Sequence, residues 1–289
     1  MLAAVNPQAS LRRSINQAVR ADINQCYTCA SCVTECPVNR ATNKLQPRKL
    51  VWMANLGLLD ELLRLPDIWY CLGCNRCSHV CPMSVKPAAL IRFLHWEAVR
   101  AGVVPAAMHG QLQQLHREFQ GARRQVAADL LDQSSARPTP AAVRQTPFQG
   151  SDRDAGLPRR AGDYLGYGTN LSSCFACEEC SNACPISLDR SVFDPLRIIR
   201  MANMGIKEPL LRSPSLWLCI QCQSCTQSCG QAVKGHLVIS RLQQLAVEEN
   251  LVPADFRTQW QARQALLYGR FLKAVDGLLA APGDEAANA

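Results

Sequence analysis

No stretch of this 289-residue chain approaches about eighteen uncharged apolar residues, the run a helix needs to cross a bilayer. A membrane-spanning segment is therefore not expected. The opening residues, MLAAVNPQASLRRS, lack the apolar core of a secretory signal, because Asn6, Gln8, Arg12 and Arg13 interrupt it early. A reducing, cytoplasmic setting is expected, and in such a setting disulfides are a poor explanation for cysteines. Strand signals are nearly absent. No glycine-rich nucleotide fingerprint, Ser/His/Asp set or paired carboxylates stand out, and no two cysteines are adjacent. Nothing in the chain reads as a catalytic site of its own. Cysteine is also missing from almost everywhere, being confined to four short packets.

Those packets hold all sixteen cysteines: CYTCASCVTECP from Cys26, CLGCNRCSHVCP from Cys71, CFACEECSNACP from Cys174 and CIQCQSCTQSCG from Cys219. The chain is 48% hydrophobic, enough to bury a core. A net charge of +8 would ordinarily raise the question of nucleic acid. That count treats every cysteine as neutral. Four iron–sulfur clusters with their thiolates would contribute about −2 each and bring the assembly close to neutrality. No nucleic-acid partner is expected.

The chain is one unit written twice. Cys26 aligns on Cys174, an offset of 148 residues that superimposes all sixteen cysteines without a gap. Met53-Ala54-Asn55 falls on Met201-Ala202-Asn203, Gly57 on Gly205, Leu62-Leu63-Arg64 on Leu210-Leu211-Arg212, and Trp69 on Trp217. The expected division is a first domain over 1–130, a linker over 131–168 and a second domain over 169–289. Residues 133–168, rich in Pro, Gly, Ser and Arg, show no apolar period and read as an extended surface linker. A partner-binding arm using Arg144, Arg153, Arg159 and Arg160 is the other reading of that stretch.

Elsewhere the pattern is helical. Ser10 can cap a helix over 11–24, and Pro47 and Pro87 can each open one. Gly57 and Gly102 sit where C-caps belong. After Pro105 an apolar stripe runs through Met108, Leu112, Leu115 and Phe119. Its counterpart keeps Phe256, Trp260 and Leu267 and extends through Phe271, Ala274 and Leu278, with Arg263 interrupting. The expected fold class is mainly α: duplicated α-helical ferredoxin-type domains, each with two 4Fe–4S binding loops.

The spacing C-x₂-C-x₂-C-x₃-C-P is an iron–sulfur signature. Three close cysteines wrap one corner of a cubane, and the fourth points away to ligate the partner cluster. That rule assigns Cys26, Cys29, Cys32 and Cys81 to one [4Fe–4S] cluster, and Cys71, Cys74, Cys77 and Cys36 to a second. It assigns Cys174, Cys177, Cys180 and Cys229 to a third, and Cys219, Cys222, Cys225 and Cys184 to a fourth. Pro37, Pro82 and Pro185 follow the fourth cysteine and turn the chain away. Gly230 stands in that place in the last packet, so a less constrained loop is expected there. Structural zinc generally uses separated cysteine pairs instead of three thiolates within seven residues.

Several other residues have two readings. Trp69 and Trp217 can shield a cluster or anchor a core. Lys86 and Lys234 can offset cluster charge or be ordinary solvated lysines. His79 reads as a solvent-facing loop residue; His95, His109, His116 and His236 have no ligand spacing and read as surface or packing groups.

The stretch PRKLVWMANLGLLDELLRLPDIWYCLGC (47–74), repeated more loosely as DPLRIIRMANMGIKEPLLRSPSLWLCIQC (194–222), resembles the C-type iron–sulfur subunit of heterodisulfide reductases and of the heterodisulfide-reductase-like complexes of sulfur oxidisers. The resemblance covers about residues 10–120 and 165–270. It implies an electron relay between two partners, an A-type subunit with flavin and iron–sulfur groups and a cysteine-rich, catalytic B-type subunit. It is also similar to the helical ferredoxin domains of succinate dehydrogenase and fumarate reductase. This implies an alternative, delivery of electrons to a membrane quinone module, with the last helix as a peripheral membrane contact. A redox sensor is a third reading, disfavoured because each set has four thiolates and leaves no open iron site.

Overall fold

The computed structural model describes residues 9–132 and 153–280. They form two compact units: residues 9–116 with 268–280, and residues 117–132 with 153–267. This partition differs from the sequence-read split because two helices of 25 residues, Met108–Asp132 and Phe256–Ala280, each contribute to both units.

The first unit begins with helix α1, Ala9–Val19. It is shorter than the 11–24 helix expected from sequence, and Ser10 lies within it. Arg20 turns the chain with φ 49°, and the Asp22 carboxylate caps a 3₁₀ turn over Ile23–Gln25 by accepting from the Asn24 N–H at 3.0 Å. The short acidic side chain competes with helix continuation, as Asp does at such positions. The first packet follows, with the single helical turn α2 (Ser31–Thr34) and then α3 (Pro37–Thr42). Pro47 opens α4 (Pro47–Asn55), which buries Leu50, Val51 and Ala54. After α5 (Leu59–Arg64) a 3₁₀ turn carries buried Trp69 into the second packet, whose helical turn is α6 (Arg76–His79). Pro87 then opens α7 (Pro87–Arg100), and α8 is Met108–Asp132.

In the first unit the end of the last helix packs over this core. Phe271 places its ring 5.3 Å from that of His116, and Asp276 accepts from the Tyr70 hydroxyl at 2.6 Å.

The second unit repeats the pattern. Its elements are α9 (Leu157–Ala161), α10 (Glu179–Asn182), α11 (Pro195–Asn203), α12 (Glu208–Leu211), α13 (Ser224–Gln227), α14 (Gly235–Glu248) and α15 (Phe256–Ala280). Arg123 of α8 is buried beneath Trp260, donating to the side-chain oxygens of Gln120 and Gln264 at 2.7 and 2.8 Å.

Residues 133–152 of the expected linker lie outside the described residues. Its remainder is not an extended surface strand. Helix α9 buries Leu157 and Ala161, and strands β1 (Asp163–Tyr164) and β2 (Tyr167–Gly168) form a hairpin whose two turn residues, Leu165 and Gly166, both have positive φ. Arg160 fixes this segment by pairing with Asp154 and Glu249, and Lys207 pairs with the same Glu249. Of the predicted arginines, Arg159 lies on α9 and Arg153 bridges to Ile206. Arg144 lies outside the described residues.

The apolar stripe of α15 buries Phe256, Trp260, Leu267 and Phe271. Beyond Phe271 it passes through Leu272 and Val275, with Ala274 exposed and Leu278 half-buried, because the 3.6-residue turn drifts off the spacing read from sequence.

Candidate metal centres

Each packet is delivered by the same local device. A 3₁₀ turn ends at the first cysteine, which adopts an extended backbone at Cys26, Cys71 and Cys174 (φ −68°, −72° and −69°). Two left-handed residues then bracket the second cysteine. They are Thr28 and Ala30 around Cys29, Gly73 and Asn75 around Cys74, Ala176 and Glu178 around Cys177, and Gln221 and Gln223 around Cys222. Seven of these eight positions carry side chains. Left-handed geometry costs such residues about 1–2 kcal/mol apiece, so it persists only where the surroundings impose it. Alternating right- and left-handed residues turn successive N–H groups inward to form an anion-binding concavity, the kind used at iron–sulfur sites.

The Met-Ala-Asn repeat anchors the loops. Asn55 Nδ2 donates to the Ile23 carbonyl at 2.9 Å, and Asn203 Nδ2 donates to the Leu171 carbonyl at 3.0 Å. Each asparagine ties its helix to the turn that launches the first packet. Gly57 and Gly205 follow with φ of 72° and 71°. At Gly205 an added Cβ would lie 2.6 Å from the Asp154 carbonyl oxygen.

The thiols gather in crossed sets. One cavity is lined by Cys36, Cys71, Cys74 and Cys77, beneath Leu45 and Ile91. A second is lined by Cys184, Cys219, Cys222 and Cys225, under Phe193 and Ile239. A third is lined by Cys174, Cys177, Cys180 and Cys229, with Cys225 of the neighbouring set also at its wall, beside Ile199 and Val233. The remaining set is visible in the Cys32 thiol, pushed up to about 11 by burial and then by the charges of Cys26, Cys81 and Cys29. Within each unit the two sets adjoin. Cys32 acts on the Cys77 thiol, and Cys180 acts on Cys225, although burial dominates both shifts.

The sets differ in exposure. Cys29 and Cys177 are exposed, with Tyr27 58% and Phe175 64% exposed beside them. Cys36, Cys74, Cys77, Cys180, Cys222 and Cys225 are buried, and all but Cys180 belong to the other two sets. Burial pushes Cys71 up to about 11 and Cys225 to about 12, so without a metal these thiols hold their protons. Backbone N–H groups already point at sulfur: Asn39 to Cys36 at 3.5 Å, Gly73 to Cys71 at 3.4 Å and Val85 to Cys81 at 3.4 Å.

This donor set fits a polynuclear cluster. Among the described residues no three of His, Cys, Asp or Glu converge closely enough to hold a single ion. The three cavities each contain roughly 300–370 Å³ of space, part of it open to solvent. The family description "4Fe-4S dicluster domain" matches residues 22–85 and again 170–233. Each half thus contains a stretch similar to 4Fe–4S dicluster domains. Two such domains with sixteen cysteines account for four [4Fe–4S] clusters.

Over part of its length the chain is similar to C-type subunits of heterodisulfide reductases. It is 40% identical over 85 residues to the C-type subunit of the H2:CoB-CoM heterodisulfide,ferredoxin reductase of Methanothermobacter thermautotrophicus, covering 29% of this chain and 45% of that protein. It is 42% identical over 62 residues to a protein of Archaeoglobus profundus named as similar to the heterodisulfide reductase C-type subunit, covering 22% and 33%. It is 32% identical over 95 residues to the C-type iron-sulfur subunit of the CoB–CoM heterodisulfide reductase of Methanopyrus kandleri, covering 33% and 45%. The matches thus span less than half the length of these relatives.

Other sequence-read residues find definite places. Trp69 is buried and stacked on His95, with ring centroids 4.3 Å apart, and His109 meets both rings edge-on at 6.1 Å. Three histidines of the first half are therefore packing groups, His116 included. Trp217 is buried against Phe256. His236 Nδ1 lies 2.6 Å from the Thr226 hydroxyl and lines the Cys184 cavity. His79 is exposed but sits on a helical turn, not in an open loop. The last packet's exit is no looser than its counterpart: Ala232 repeats the left-handed turn of Ser84, and its N–H reaches the Cys229 carbonyl at 3.1 Å. What sequence reading missed was the set of left-handed residues around the second cysteines. Seven of the eight are not glycine, and no residue type signalled them.

Proposed function

We propose that the four crossed sets ligate one [4Fe–4S] cluster each. Cys26, Cys29, Cys32 and Cys81 form one set and Cys36, Cys71, Cys74 and Cys77 the next. Cys174, Cys177, Cys180 and Cys229 form the third, and Cys184, Cys219, Cys222 and Cys225 the fourth. The chain then serves as an electron-carrying member of a heterodisulfide reductase-like complex. Its partners are a flavoprotein that also bears iron–sulfur groups and a cysteine-rich catalytic protein where disulfide or sulfur chemistry takes place. When bound, each cluster accepts and releases a single electron.

The observation that carries this reading is the pairing within each unit of a set that reaches solvent at one thiol, Cys29 or Cys177, with a set that has no exposed thiol, adjoining at Cys32 with Cys77 and at Cys180 with Cys225. An exposed set can exchange electrons with a partner, and a buried one can retain them away from water. The protein's residues prepare the site. Left-handed loops aim N–H groups inward, Asn55 and Asn203 fix the loop origin, and Leu45, Ile91, Phe193 and Ile239 limit solvent access, which influences potential. Every cysteine is used in a set, so no thiol remains as a nucleophile.

Delivery to a membrane quinone module has less support. The α15 face that would touch lipid is buried at Phe256, Trp260, Leu267 and Phe271. No described helix is long and apolar enough to cross a membrane.

Anaerobic affinity isolation of the tagged full chain from its own host tests the assignment. Co-elution with a flavoprotein and a protein containing adjacent cysteines is expected. A chain isolated alone, from cells whose disulfide reduction survives its deletion, would contradict it.

A further inference from the structure

At the offset of 148 the two units carry the same thiols but different charges. In the first unit the Arg48 guanidinium lies 4.9 Å from the Trp52 ring centroid, and its Nη1 donates to the Thr28 carbonyl at 3.4 Å, beside Cys29. Lys86, exposed five residues after Cys81, donates to the Arg20 carbonyl at 3.1 Å. Arg76 directly precedes Cys77, and its Nε reaches Glu35 Oε2 at 2.7 Å, beside Cys36. Arg92 Nη1 donates to Asn75 Oδ1 at 2.7 Å, which places its guanidinium beside the residue that follows Cys74.

The second unit has Leu196, Ser224 and Ser240 where the first has Arg48, Arg76 and Arg92; of the four cations only Lys234 remains. It gains acids instead. Glu178 and Glu179, replacing Ala30 and Ser31, line the cavity of Cys174, Cys177, Cys180 and Cys229. Asp194, replacing Gln46, accepts from the Ser181 hydroxyl at 2.5 Å, beside Cys180. Arg190 pairs with Glu178 at 2.8 Å and also reaches the charge of Asp194, leaving Glu179 as the acid it does not meet. Hydroxyl groups reach sulfur in both units, Ser31 at Cys29 and Ser224 at Cys222, both at 3.4 Å.

A cluster gains one negative charge on reduction. A nearby cation stabilises the reduced form and raises the potential; a nearby anion lowers it. We propose that this asymmetry gives the relay a direction: the thiol sets beside Arg48, Arg76, Lys86 and Arg92 accept electrons at higher potential than those beside Glu178, Glu179 and Asp194. The second unit is then the electron-receiving half and the first unit the sink that supplies the acceptor. Each transfer moves one electron and breaks no bond in the chain.

The proposal rests on the four-cluster reading above, so its test reports on both. The full chain, anaerobically loaded, is titrated with dithionite and followed by EPR, as wild type and as Arg92→Gln, Lys86→Gln, Glu179→Gln and Asp194→Asn. The first two variants are expected to lower the potential of the signals that appear first and leave the later ones in place. The last two are expected to raise the later signals alone. Lys86 and Glu179 are exposed, so at least one variant of each unit leaves the core untouched. Signals that move in the opposite assignment, or that none of the four variants moves, overturn the ranking. Iron and sulfide at wild-type levels in each variant show that the clusters are present, so a reversed order then counts against the direction alone. A wild type without sulfide overturns the four-cluster reading itself.

Discussion

A cysteine's partners in these packets are decided by which way a thiol faces, and this gives a sharp test. If Cys29 and Cys81 serve one cluster, Cys29→Ser and Cys81→Ser are not additive in iron lost per chain, because the second removes little that the first left. Cys77→Ser with Cys81→Ser is additive, because those thiols line different sets. Iron content of the single and double variants checks both statements, and additivity of the first pair would refute the crossing. The spacing made the sets legible in the sequence. It did not reveal the left-handed residues around Cys29, Cys74, Cys177 and Cys222, since Thr, Ala, Glu, Gln and Asn ordinarily avoid or only tolerate that conformation. Nor did it show that His95 and His116 are core residues of the first unit. Burial holds both well below the usual histidine range, at about 4, with His109 and Arg92 adding to the effect on His95. The unfolded chain then binds more protons than the folded one between about pH 6.5 and 4. Stability is therefore full above that window and falls as pH drops through it, by roughly 1.4 kcal/mol per pH unit for each histidine. The second half has Gln243 in place of His95, donating to the Leu216 carbonyl at 2.9 Å as His95 Nε2 does to Ile68 at 2.7 Å. His95→Gln should keep that bond and flatten the acid limb of a denaturation series; an unchanged slope would contradict the assignment.

At the level of elements, Pro47, Pro87 and Gly57 marked helix ends that the structure keeps, because proline and glycine act through fixed local sterics. The Met-Ala-Asn repeat was visible as a repeat, but its purpose was not, since Asn55 and Asn203 act on carbonyls 32 residues away. Asn55→Ala or Asn203→Ala leaves a carbonyl without its donor and is expected to cost about 1–3 kcal/mol in chemical denaturation. An effect well below that would mean the loop origin is fixed elsewhere. Residues 153–168 were the weakest reading. Their Pro, Gly and Arg suggested a linker, whereas Arg160 pairs with Asp154 and Glu249 and the chain closes on Gly205. Gly205→Ala combines a left-handed φ of 71° with a contact of 2.6 Å to the Asp154 carbonyl oxygen. It should lower the melting temperature clearly more than Gly230→Ala, where an added Cβ meets nothing within 4 Å. Equal effects would show that the segment is not held at Gly205.

For the whole molecule, the offset of 148 residues was enough to read a duplicated helical scaffold, because every cysteine and most helix boundaries repeat in register. The assignment of α8 and α15 to both compact units was not legible, since an apolar stripe states that a helix is covered and not by what. The strained packet loops and protonated buried thiols make cluster binding part of the folding energy. Iron chelation under denaturant-free conditions should therefore reduce helical circular dichroism as well as colour; helicity that survives complete iron loss would contradict that coupling. The central claim is four cubanes in one chain, and the most direct measurement is iron and acid-labile sulfide per chain after anaerobic purification, with EPR on the dithionite-reduced protein. The account predicts about sixteen of each and mutually coupled paramagnetic signals. Zinc without sulfide, or iron near half that number, would contradict it.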